Sequence, residues 1–113
     1  MKVVLVILMI FHGAVHSMGF IKAFRIAEVP QLVNPVARPN GVLWLLAGLL
    51  FILSGILFSV EKEWWWASSV AAVLISQYLI VNDWNDARLG SIANIIIFLA
   101  SLIGFVTWCL SKN

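Results

Sequence analysis

The stretch VVLVILMIFHGAVHSMGFI, residues 3–21, decides the class of fold. It lies between Lys2 and Lys22 and holds two histidines, His12 and His16, but no other ionisable group. As a helix its 19 residues extend about 28 Å at 1.5 Å each, the thickness of a bilayer core. An imidazole in hydrocarbon needs a hydrogen-bond partner, a ligand or water, so an ionisable residue inside a span marks a functional site by default. His12 is the central residue of the run. His12, His16, Gly19 and Ala23 follow the i, i+4, i+7, i+11 spacing of one helix face, where small residues let a second helix approach. Lys2 followed by an apolar run has the look of a signal peptide, yet the run passes His12 without an A-x-A-like cleavage site. A retained, spanning helix is expected.

Composition extends this reading to the whole chain. Of 113 residues, 63% are hydrophobic and 11% charged, with a mean hydropathy of +1.05, far outside the soluble globular range. The expected fold class is all-α, an integral membrane four-helix transmembrane bundle, with residues 1–113 as one domain. Seven basic residues and a net charge of +2 are scattered without a cluster, so no nucleic acid partner is expected. The one cysteine, Cys109, rules out an intrachain disulfide or Cys-x-x-Cys redox chemistry, and with them quinone-linked disulfide oxidoreductases.

Residues 24–40 hold all three prolines, Pro30, Pro35 and Pro39, and form the longest loop; the spacing rules out a long helix. Its Val29, Leu32, Val33 and Val36 suit a segment lying in the interface or folded over the bundle mouth. Residues 41–60 carry no charge, and Gly41, Gly48 and Gly55 recur every seven residues as a packing stripe. Trp64, Trp65 and Trp66 read as an aromatic anchor at the water boundary. The third span, residues 64–83, places Ser69, Ala72, Ser76 and Asp83 on one face with Gln77 beside it. The fourth, residues 90–111, repeats Asn94, Ser101 and Trp108 every seven residues, with Ala100 and Gly104 as a small-residue pair.

An even number of crossings puts the 24–40 loop and the 83–90 turn on one side. Asp83 and Asp86 both stand at the mouth on that side. The spans' polar groups then gather in one leaflet, as a funnel with Asp83 at the rim, His16, Gln77 and Asn94 in the wall and His12 at the floor. These five are the candidate ligand-binding residues; no catalytic residue, metal ligand or cofactor is assigned. Gln77 and Asn94 are the expected partners of the imidazoles.

Several of these stretches together, HGAVHSMGFIKAF (residues 12–24), residues 35–44, the tryptophan run, Ser76-Gln77 and DARLGSIAN (residues 86–94), resemble a group of small bacterial four-span membrane proteins of uncharacterised activity, some loosely named ABC transporter permeases. The likeness covers nearly the whole chain. It implies a multi-pass protein of the bacterial cytoplasmic membrane and carries no catalytic residues with it.

The histidine spacing suits two zinc ligands, but a third is wanting, since Asp83 stands about 9 Å further along the membrane normal than His16 at helical rise. Bis-histidine haem needs ligands facing each other across the ring, and these two share a helix face. A triad of Ser17, His16 and Asp83 has no motif, and Ser17 and His16 point about 100° apart. Interhelical hydrogen bonding to Gln77, Asn94 or serines accounts for both histidines without any activity. Three functions stay open: a module in the lipid bilayer that binds a lipid-like or small polar ligand or acts as a scaffold, a homodimeric proton-coupled transporter titrating a histidine, and a membrane enzyme using His16 or Asp83 as acid or base. Basic residues divide three against four between the two sides, so the positive-inside rule barely orients the chain; clustering of Lys22, Arg25 and Arg38 favours termini outside.

Overall fold

The structure, a computed structural model, describes residues 2–112 and is helical throughout its ordered elements, with no strand among them. Helix α1 spans Lys2–Ala23, α2 Arg38–Ser59, α3 Trp65–Asn82, the short α4 Trp84–Ala87 and α5 Gly90–Ser111. Four of them, α1, α2, α3 and α5, are long and apolar enough to cross a membrane. They form the expected antiparallel bundle, elongated at 49 × 24 × 22 Å. Helix α2 starts three residues before Gly41, because Pro39 sits in its first turn, where a missing N–H and a fixed φ suit the helix. The turn after α3 is not plain loop but holds α4, whose single turn rotates Asp86 toward the bundle.

Glycine sets the closest approach. A β-carbon on Gly48 would lie 2.6 Å from the Gly13 carbonyl oxygen, and one on Gly13 would lie 2.6 Å from the Gly48 carbonyl oxygen, so α1 and α2 meet backbone to backbone. The α1 face read from the sequence is buried at His12, His16, Gly19 and Ala23, and Gly19 makes room for the Trp44 indole. Gly104 on α5 does the same for Trp65. The tryptophan run therefore divides its work. Trp64 is half exposed, as an interfacial anchor would be, whereas Trp65 is buried against Phe58, with ring centroids 4.5 Å apart, and Trp66 packs on Phe105 and Trp108.

Contact is extensive between α1 and α2, α2 and α3, and α3 and α5, but sparse between α1 and α5. The bundle is thus closed on three sides with a loose seam on the fourth. One apolar cluster, including Met9, Phe51, Trp65 and Ile97, fills the half near the termini, and a smaller one of Trp44, Leu79 and Ile80 fills the other. Helices α1 and α2 end alike: Arg25 (φ 55°) and Glu61 (φ 62°) adopt the left-handed conformation, and Ile26 N–H and Lys62 N–H reach back to the carbonyls of Ile21 and Leu57.

Candidate functional site

The polar residues of three helices meet between the two apolar clusters. The His12 ring stands 4.8 Å from Phe51 and the His16 ring 5.0 Å from Trp44, centroid to centroid, and the two imidazoles meet edge on at 4.5 Å. His12 is 8%, His16 2%, Asn94 2% and Ser76 0% exposed. At that depth every donor and acceptor needs a partner.

The hydrogen bonds fix their own direction. His16 Nδ1 lies 2.7 Å from the His12 carbonyl oxygen, one turn back on α1. A carbonyl can only accept, so Nδ1 carries a proton and donates. In the neutral ring Nε2 is then an acceptor, and the Ser76 hydroxyl, 2.7 Å away, donates to it. Ser76 Oγ in turn accepts from Asn94 Nδ2 at 3.0 Å, whose second proton goes to Gln77 Oε1 at 3.1 Å. Gln77 Nε2 passes the order on to Ser91 Oγ at 3.1 Å. With its amide oriented this way, Asn94 presents Oδ1 to His12 Nε2 at 2.9 Å, so Nε2 donates. The two histidines hold opposite tautomers. One atom is left over: among the described residues none hydrogen-bonds Nδ1 of His12, which in this tautomer bears a lone pair.

A cavity of about 360 Å³ adjoins this network, on the loose seam and toward the 24–37 loop. His12, His16, Gly19 and Trp44 line it from α1 and α2, Ile80 from α3, and Asp86 and Gly90 from the turn and α5. The loop closes over it. Gln31 and Leu32 belong to the lining, the Lys22 ammonium donates to the Leu32 carbonyl oxygen, and Asn34 N–H donates to Asp86 Oδ2 at 2.8 Å. Val15, Met18, Leu32, Ile80 and Leu89 make the lining mainly apolar.

Of the five residues singled out in the sequence, four share one network. His12 and His16 also line the cavity, while Gln77 and Asn94 stand behind them and border only a shallow groove on the α3–α5 face. Gln77 does not serve a histidine; it steadies Asn94, and Ser76 partners His16. Asp83 is outside both the network and the lining, because α3 ends at Asn82 and the chain turns there. Its neighbour Asp86 takes the place on the cavity. Burial pushes the Asp83 carboxyl above its ordinary pKa, Asp86 pushes it the same way, and Lys22 opposes them. The sequence put Ser76 on the inward face, but choosing between adjacent Ser76 and Gln77 required the helix rotation. The sequence put Asp86 with Asp83 at the mouth, but which of the two carboxylates reaches the cavity depends on the single turn of α4.

Chemically, His12 Nδ1 is the site's one free imidazole acceptor. Ser76 and His16 have the donor order of a nucleophile and its base, yet Ser76 is fully buried and off the cavity lining. Ser17 turns its hydroxyl back to the Ala14 carbonyl, 2.6 Å away, so the triad considered above does not assemble. Among the described residues no third His, Cys, Asp or Glu joins the two histidines as a metal-ligand group.

No family model matches the chain, and no curated protein or solved structure shows significant similarity to it.

Proposed function

We propose that the chain is a membrane-embedded binding module, holding a small, largely apolar molecule in the cavity beside the histidine pair, in one leaflet of the bilayer. The observation that carries this reading is a free acceptor, His12 Nδ1, on a largely buried ring that lines a ligand-sized space. Binding pockets run from about 300 to 1,000 Å³, mostly apolar with a few placed polar groups, and 360 Å³ with His12 and Asp86 fits the small end. The network supports the reading by holding the His12 ring in one orientation. The resemblance noted in the sequence supports the bacterial cytoplasmic membrane as the location of such a module. Native mass spectrometry of the protein released from mild detergent tests the proposal. A retained small molecule is expected on the natural chain and is lost from Val15→Trp, whose half-exposed site on α1 puts an indole into the seam. Identical spectra for the two proteins refute it.

The same lone pair favours one alternative, a small proton-coupled transporter working as a homodimer, because a titratable group on a cavity can couple proton and ligand movement. Proteoliposome flux that depends on a pH gradient and is abolished by His12→Gln would support transport over binding alone.

A further inference from the structure

The polar inventory of the cavity is unbalanced. Its free groups are acceptors: Nδ1 of His12, and the carboxylate of Asp86, of which only Oδ2 accepts a hydrogen bond from the described residues, from Asn34 N–H. Both His16 nitrogens are engaged, with the His12 carbonyl and with Ser76. The indole N–H of Trp44 is a donor without an acceptor, but it is fully covered and offers nothing to an occupant. Gln31, an exposed loop residue, is neutral and can give or take a hydrogen bond. Charge points the same way. Among the described residues the ion pairs are Lys2 with Glu61 and Lys112 with Glu63, both near the termini, so Asp86 has no cationic partner. The nearby Lys22 ammonium is held by the Leu32 carbonyl oxygen. An unpaired carboxylate and a neutral acceptor, set among Trp44 and aliphatic side chains, call for hydrogen-bond donors and a positive charge that no protein group on the lining supplies.

We propose that the cavity takes a small organic cation, a protonated amine on an apolar body, and that Asp86 is the residue that selects it. The proposal rests on the cavity being a binding pocket. The ammonium gains a charge-assisted hydrogen bond at Asp86, the Trp44 ring offers its face to the cation, and the alkyl body covers the aliphatic lining. An anion meets repulsion from Asp86 and finds no accessible donor but the Gln31 amide.

The test uses the full chain in lipid nanodiscs, with n-hexylammonium, n-hexanol and n-hexanoate titrated by ligand-observed NMR, and Val15→Trp nanodiscs as the reference for partition into lipid. Hexylammonium is expected to bind about tenfold more tightly than hexanol, the ratio that one charge-assisted contact gives, with hexanoate weakest. Asp86→Asn keeps an oxygen to accept the Asn34 N–H while removing the charge, so the loop stays tied and the preference for amine over alcohol disappears. Asp83→Asn, off the lining, keeps that preference. Hexanol binding as well as hexylammonium, or a preference that survives Asp86→Asn, overturns the cation assignment and leaves the pocket standing. Equal behaviour of the natural chain and Val15→Trp toward all three probes overturns both.

Discussion

Replacing Asn94 with leucine removes the centre of the polar network while keeping the branched heavy-atom shape of the side chain. Its Oδ1 accepts from His12 at 2.9 Å, and its Nδ2 donates to Ser76 at 3.0 Å and to Gln77 at 3.1 Å. An interhelical hydrogen bond in a membrane protein is worth about 0.6 kcal/mol on average and about 1.7 at most. Three of them give about 2 to 5 kcal/mol, and the upper half of that range is expected here because the His12 Nε2–H is left without an acceptor in a buried site. Leucine fills the space, so no cavity term is added. The assay is equilibrium unfolding in mixed dodecylmaltoside–SDS micelles, followed by far-UV circular dichroism. Ser101→Ala is the control: Ser101 makes one interhelical bond, to Ser69 at 2.5 Å, and its loss should cost about 0.6 kcal/mol. A double-mutant cycle of Asn94→Leu with His12→Phe should show coupling of at least about 1 kcal/mol. If Asn94→Leu costs no more than Ser101→Ala, the three bonds do not form a stabilising network and the tautomer argument fails.

Gly48→Ala should destabilise by about 1 to 3 kcal/mol, because its β-carbon meets the Gly13 carbonyl and the two helices must part; Gly55→Ala meets Ile10 Cγ1 at 3.0 Å and the Val6 carbonyl oxygen only at an ordinary 3.5 Å, so it should cost clearly less in the same unfolding assay. Asp83 binds its proton more tightly in the fold than in the unfolded chain, since burial and Asp86 raise its pKa. The folded state therefore holds more protons, and its stability falls as pH rises from the ordinary aspartate range through the raised value. Asp83→Asn should accordingly stabilise at pH 7, by up to about 1 kcal/mol with relief of a negative charge at the α3 C-terminus, and should be neutral at pH 3; a gain of equal size at both pH values would contradict this. Arg25→Gly places the residue suited to φ 55° at the end of α1 and should raise stability by roughly 1 kcal/mol, read as a higher unfolding midpoint. Single cysteines at Asn34 and Lys62, in a Cys109→Ser background, should label from opposite faces of a sealed vesicle; labelling of both from one face in every molecule would be incompatible with a four-span bundle.

The architecture was legible because lipid imposes it. Runs of about 20 apolar residues can satisfy their backbone only as helices, and seven-residue repeats of glycine or polar residues mark the faces that meet, as Gly48 against Gly13 and Asn94 beside Ser76 bear out. The gathering of His12, His16, Gln77 and Asn94 followed from comparing depths along the membrane normal, which helical rise makes calculable. Rotation about each helix axis is not calculable in that way. It decided that Ser76 rather than Gln77 meets His16, and that Trp65 enters the core while Trp64 stays outside. The cavity owes its shape to the sparse contact between α1 and α5 and to the loop that Asp86 ties down through Asn34. Both depend on tertiary packing that no local pattern encodes, which is why Asp83 was expected where Asp86 stands.

The central claim is that His12 holds a free Nδ1 lone pair toward a cavity that admits a ligand. Nitrogen-15 NMR of the protein labelled only at its two histidines, in lipid nanodiscs near neutral pH, reads both tautomers directly. The expected spectrum has His16 protonated at Nδ1 and His12 protonated at Nε2, with the His12 Nδ1 signal alone moving when n-hexylammonium is added and staying fixed in Val15→Trp. A proton on His12 Nδ1, or an Nδ1 signal indifferent to the amine and unchanged by Val15→Trp, would contradict it.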